Sequence, residues 1–148
     1  MDILDKQKHI FGRLFLLSNK LQIIGDQALA NEMTIRQWLM TVAVAQYKDN
    51  PPTLSEVAMI MGSSHQNVKQ LAMKLKENGF LAIEKDKEDQ RVIRLMLTKK
   101  SCSFWKRWQL DVKNLLTGIF KDMNKEEIEV LYNCLNKLYE GILEMQKE

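Results

Sequence analysis

Gly62 stands between two short segments that each open with a helix-start signature, and a pair of short charge-bearing strands follows at once. Thr53-Leu54-Ser55-Glu56 has the form of a capping box, with the Thr53 hydroxyl set to accept from a free amide and Glu56 reaching back. A helix starting there carries Leu54, Val57, Ala58 and Met61 inward. Ser63-Ser64-His65-Gln66 repeats the form and predicts a helix to about Asn78, buried along Val68, Leu71, Ala72 and Leu75. Asn78-Gly79 stops it with a left-handed residue. Leu81, Ile83 and Lys85 then alternate with Ala82 and Glu84, while Ile93, Leu95 and Leu97 alternate with Val92, Arg94 and Met96. Asp86-Lys87-Glu88-Asp89-Gln90 between them reads as an exposed turn. From Thr53 to Thr98 the order is helix, tight turn, helix, charged hairpin.

The outward face of the second helix is Ser64, His65, Gln66, Asn67, Lys69, Gln70, Met73 and Lys74, with no carboxylate before Glu77. Gln and Asn pair bidentately with adenine, Lys donates to guanine, and free amides in a first helical turn favour phosphate. A helix is also the right width for a DNA major groove. Lys85, Lys87 and Arg91 flank the turn of the hairpin, and Arg91 is the candidate for backbone or minor-groove contact, with Asp89 orienting its guanidinium. An exposed Asp89–Arg91 pair also steadies the turn, by about 0 to 1 kcal/mol. His65 has no partner that would make it a metal ligand or a catalytic base.

A 148-residue chain that is 45% hydrophobic and 28% charged suits one ordinary globular domain. The net charge of +3 is divided unevenly: residues 122–148 sum to −4, leaving +7 for the rest, and Lys99, Lys100, Lys106 and Arg107 form an acid-free run before Trp108. That polarity suits a middle that faces phosphates. The acidic start Met1-Asp2-Ile3-Leu4-Asp5-Lys6 is unlike a secretory leader, and the apolar run from Trp38 to Ala45 is too short to span a bilayer, so a cytoplasmic chain is expected. Cys102 and Cys134 lack ligand spacing, which predicts buried or incidental thiols and no metal or other cofactor. An enzyme would need convergent nucleophile, base and orienting groups, yet the histidines are only His9 and His65 and no glycine-rich phosphate loop appears.

Outside the central unit the pattern is helical. Ile10, Leu14, Leu17, Leu21, Ile24 and Ala28 stripe a long helix from about Ile3 to Leu29, and Met33 to Lys48 reads as another, with Ile35, Trp38, Leu39, Val42 and Ala45 or Gln46 on or beside one face. Pro51 and Pro52 are expected to end it. Ile128, Leu131, Leu135, Leu138, Ile142 and Met145 form a seam of heptad spacing near the C-terminus. Such seams are buried either inside one chain or between two; two long striped ends around a small central unit favour a homodimer. Gly118 and Gly141 lie within the last two helices, where close helix approach would offset a cost of about 1 kcal/mol each.

The segment from Thr53 to Thr98 resembles the winged helix-turn-helix of the MarR family of bacterial transcription regulators. Asp89-Gln90-Arg91 and Leu97-Thr98 match the family's wing, and Leu75-Lys76-Glu77-Asn78-Gly79-Phe80-Leu81 is similar to its Leu-Glu-x-x-Gly-Leu-Val stretch. The resemblance implies a mainly α fold with a small β-hairpin wing, residues 34–98 forming the DNA-binding lobe and residues 1–33 and 99–148 the dimerisation helices of a single domain. It further implies a triangular homodimer on a palindromic operator with half-sites roughly 34 to 36 Å apart. Repression relieved by a small aromatic or anionic effector is the activity it suggests, with Phe15, Trp38, Tyr47, Trp105 and Trp108 near the effector cleft. Ile83 and Gln70 replace basic residues common in the family, which implies fewer phosphate contacts, and the N-terminal cysteine of peroxide-sensing relatives has no counterpart. A winged helix serving only as a protein-interaction adaptor is the rival reading.

Overall fold

The computed structural model describes residues 1–30 and 32–147. Among these, six helices and one hairpin follow in order: α1 (Ile3–Ala28), α2 (Ile35–Ala45), α3 (Leu54–Met61), α4 (His65–Glu77), β1 (Leu81–Lys85), β2 (Ile93–Leu97), α5 (Lys99–Ile119) and α6 (Lys125–Gln146). They form two compact units, Met1–Leu110 and Asp111–Glu148.

In the first unit α2 is the central element and touches α1, α3, α4 and β2. Met40, Val57, Val68, Leu75, Leu95 and Phe104 are fully enclosed, each worth about 1.5 to 3 kcal/mol of apolar burial. The buried side of α2 is Gln37, Met40, Thr41, Ala43 and Val44, not the expected set, in which Leu39 is exposed and Ile35, Trp38, Val42 and Ala45 are half-buried. A helix surrounded by neighbours on several sides has no single apolar stripe, so periodicity misplaced its face. α2 is also shorter than expected. Thr34 caps it in a reciprocal box with Gln37, and the Asp26 carboxylate accepts from the Ile35 amide at 2.6 Å. It ends six residues before Pro51, so the prolines do not terminate it. Gly25 holds α1 against α2, since a Cβ there would come within 2.6 Å of Ile35 Cδ1.

The central unit follows its sequence closely. Thr53 and Glu56 make the capping box of α3, and Gly62 turns the chain at φ 63°, a left-handed conformation that glycine adopts without a Cβ clash. The second box does not form, and the helix starts one residue later than it predicts. Ser64, not Ser63, is the N-cap of α4, and its hydroxyl accepts from the Asn67 amide at 3.1 Å. Gly79 ends the segment at φ 83°.

β1 and β2 pair antiparallel with Leu81 opposite Leu97, Ile83 opposite Leu95 and Lys85 opposite Ile93, the alternation expected. A third segment joins them. Thr53 bridges to Arg94, and the Leu95 amide donates to the Pro52 carbonyl at 2.9 Å, so the prolines run beside β2 where their missing N–H costs nothing.

Both ends of the chain carry apolar faces in the open. On α1, Ile10, Leu17, Leu21 and Ile24 are exposed, and α6 buries no residue, its seam from Ile128 to Met145 facing outward. A Cβ on Gly118 or Gly141 would meet nothing within 4 Å, so close helix approach within this chain does not explain either glycine. Cys102 and Cys134 are exposed, which sets aside burial and leaves the other expected reading, incidental thiols.

Candidate nucleic-acid interface

α4 presents its expected face. His65, Gln66, Asn67, Lys69, Gln70 and Lys74 are all exposed, while Val68, Ala72 and Leu75 are sealed against the core. Side chains three and four apart share a helix face, so burial of one stripe fixes the direction of the others. His65, Gln66, Lys69, Gln70, Met73, Lys74 and Glu77 line one open cleft along the helix. Ser64 is exposed too, but its hydroxyl is committed to capping, which leaves it lone-pair capacity for one further donor.

Beside the N-terminus of α4, the hairpin brings Arg91 to a small pocket shared with His65, Thr53 and Ser55. The Arg91 side chain is 92% exposed and is steadied from below: the Asp89 carboxylate accepts from its amide at 3.0 Å and from Nε at 3.2 Å. The pair orients the guanidinium without hiding it, leaving N–H donors open to an external acceptor. Lys85 and Lys87 are exposed on the same hairpin.

The turn itself is more firmly built than an exposed loop. Asp86 is half-buried, and its carboxylate accepts from the Glu88 and Asp89 amides and from Arg94 Nε, the last at 2.6 Å. The Arg94 hydrogen bond, followed by the Asp89 amide, holds the Asp86 carboxyl below its ordinary range. Arg94 also donates to the Pro51 carbonyl at 2.6 Å, tying the hairpin to the chain before α3. Glu56 is held low chiefly by the Thr53 amide, and Tyr47 is raised by burial and then by the Glu56 charge.

Sequence reasoning missed Arg36, which shares a cleft with Asn67, Gln70 and Lys74; the Thr34-x-x-Gln37 box was the available signal that places residue 36 in a first helical turn. It also missed Ser55 and the tie made by Arg94. All four bases of the run at the start of α5 are exposed, though two of them also make contacts within the chain. Lys100 donates to the Asn78 carbonyl at 2.6 Å and lies over the Phe80 ring, and Arg107 pairs with Glu32 at 3.4 Å.

The five expected effector residues are not gathered in one place. Trp38 and Trp108 meet edge to face at 5.5 Å, and Trp105 donates to the Thr41 hydroxyl at 3.2 Å, while Trp108 donates to the Ala28 carbonyl. Phe15 packs on Phe11 instead, on an exposed part of α1 roughly 20 Å along the helix from Ala28. Tyr47 lines a separate cavity with Pro51, Pro52 and Leu95 to Leu97. Among the described residues no group of three His, Cys, Asp or Glu side chains converges to hold a metal, and no helix is long and apolar enough to cross a membrane.

No family model matches the sequence, and no curated protein does either. Solved structures do. The transcriptional regulator BldR of Sulfolobus solfataricus superposes with a TM-score of 0.82 at 15% identity, covering 95% of this chain and 99% of that one. A MarR protein of Peptoclostridium difficile matches at 0.78 and 19% identity over 90% and 86% of the two chains. BpsR of Bordetella bronchiseptica, whose DNA binding is regulated by 6-hydroxynicotinic acid, matches at 0.77 and 17% identity over 88% and 98%. The chain therefore has the winged-helix fold of MarR-family regulators, and the proteins that share it here are transcriptional regulators rather than enzymes.

Proposed function

We propose that the chain is a sequence-specific, double-stranded DNA-binding transcriptional regulator acting in the cytoplasm as a homodimer on a palindromic operator. The observation that carries this reading is the exposed face of α4, amide-rich, basic and free of carboxylates before Glu77, set beside a hairpin whose Arg91 projects into solvent. α4 enters the major groove, where Gln66, Asn67 and Gln70 meet base edges and Lys69 and Lys74 meet bases or phosphates. Arg91, with Lys85 and Lys87, reaches the backbone or minor groove beside it.

In this reading residues 1–148 work as one domain, and the exposed stripes of α1 and α6 are covered by a second copy. Two copies of α4 then reach half-sites about one helical turn apart. Binding represses by occupancy, and a small aromatic or anionic effector relieves it, as the regulation of BpsR by an aromatic acid supports by analogy. We place the effector contact at Trp38, Trp105 and Trp108, which share the surroundings of Thr41; Phe15 and Tyr47 fall outside that cluster.

Selection of duplexes from a random pool by the purified chain tests the reading. A recovered palindrome, bound with affinity that falls steeply as salt rises, is the expected result. No duplex binding even at low salt would instead favour a protein-interaction adaptor.

A further inference from the structure

The cleft between the start of α2 and the flank of α4 has a volume of about 500 Å³ and is lined by Arg36, Gln37, Asn67, Gln70, Leu71 and Lys74. Its polar lining is two cations and three carboxamides, without a carboxylate. Neither Arg36 nor Lys74 is ion-paired among the described residues, whereas Arg91, Arg94 and Arg107 each hold an acid. The Gln37 carboxamide oxygen accepts from the Thr34 amide, so the end left to reach the cleft is its NH2 group, a donor. Five of the six lining side chains, all but Leu71, thus have N–H groups to offer an incoming acceptor.

Position decides which anion this is. Gln70 and Lys74 line both this cleft and the neighbouring one that runs along the outward face of α4 with Gln66 and Lys69. A helix with its side chains is roughly 10 to 12 Å across and the major groove about 12 Å wide, so a helix seated there has a wall of phosphates along each flank. Arg91, beside His65 and Ser55, serves one flank. The α2 cleft lies along the other.

We propose that the cleft between α2 and α4 receives a DNA backbone phosphate, with Arg36 as its principal donor and Lys74 beside it. This rests on the DNA-binding reading above and adds a residue on a different element from the helix-turn-helix and the wing. Arg36 fixes how deeply α4 seats, and because phosphates carry no sequence its contribution is the same on every duplex.

The test uses the full chain, as wild type, Arg36→Ala, Arg36→Lys and Arg91→Ala, each checked for unchanged circular dichroism. Affinity for a selected duplex and for a scrambled one is measured across a salt series, followed by phosphate-ethylation interference. Arg36→Ala is expected to weaken both duplexes by a similar factor, roughly three- to tenfold, and to lower the slope of log affinity against log salt by about one per subunit, with Arg36→Lys retaining most of the slope. Ethylation at specific phosphates should block the wild type and leave Arg36→Ala indifferent, at positions other than those silenced by Arg91→Ala. An unchanged slope and footprint for Arg36→Ala, while Arg91→Ala still lowers the slope, would overturn this inference and leave the DNA-binding reading standing. A wild-type chain that binds no duplex at low salt would overturn both.

Discussion

The helix-turn-helix and hairpin bury their apolar residues within one chain, and the terminal helices do not. Leu54, Val57, Val68, Leu75 and Leu95 are sealed off, while Ile10, Leu21, Leu131 and Leu138 lie open at similar helical or strand periodicity. The same kind of stripe thus marks two different things: a core that the chain completes alone and a face that needs another surface. Isolated apolar patches of this extent point to association. On the proposed function, the lobe that reads DNA is self-contained, and its spacing relative to a second lobe is delegated to the ends.

The largest effect that would break this contrast comes from charge placed on the open stripe. Leu135→Glu is expected to leave a folded monomer by sedimentation while lowering operator affinity roughly a hundredfold or more, because one half-site then binds without its linked partner. A dimer that survives the change would remove the distinction. Next is the sealed stripe. Leu75→Ala should cost about 2 to 5 kcal/mol of unfolding free energy at every protein concentration, since Leu75 is fully enclosed, whereas Leu135→Ala should change melting only in the concentration range where dimers form.

Acid should sharpen the contrast further. The Asp86 and Glu56 carboxyls are both depressed by folding, so their contributions are complete above the ordinary carboxylate range and disappear as pH falls through their lowered values. Protection factors of the Asp86 and Val92 amides, corrected for the intrinsic pH dependence of exchange, should therefore fall on acidification before those on α6 do, and Arg94→Gln should lower them likewise at neutral pH. Equal exchange with and without Arg94 would show that the tie to Pro51 contributes nothing. The smallest change is at Ala30, a non-glycine residue at φ 50°. Ala30→Gly should relieve that strain and raise stability by about 0.5 kcal/mol, a rare gain from a change to glycine, measurable by urea titration.

The parts legible in the sequence were those specified locally. A capping box, a left-handed glycine and strand alternation each act within a few residues, and α3, Gly62, Gly79 and the alternation of β1 and β2 appear as read. What escaped was set by tertiary context. The buried side of α2 depends on four neighbours, the closeness of α1 to α2 is decided by Gly25 against Ile35, and the stability of the hairpin turn depends on Arg94 reaching Pro51, 43 positions away. The candidate interface divides the same way. The outward face of α4 could be read from its own period, but Arg36 joins it only because α2 packs alongside. The aromatic residues were the least legible, because apolar rings at helical spacing give no hint of which ones will meet.

The meeting of those rings has a practical consequence. The three tryptophans of the chain, Trp38, Trp105 and Trp108, all lie around the turn of α2 from Trp38 to Thr41, and none is on α4, the hairpin or α6. Intrinsic emission from this chain is therefore a spectroscopic probe with a single address. Quenching during a DNA titration would be a signal carried inward from the nucleic acid, and quenching by an aromatic acid would report arrival at the cluster itself, with no label added.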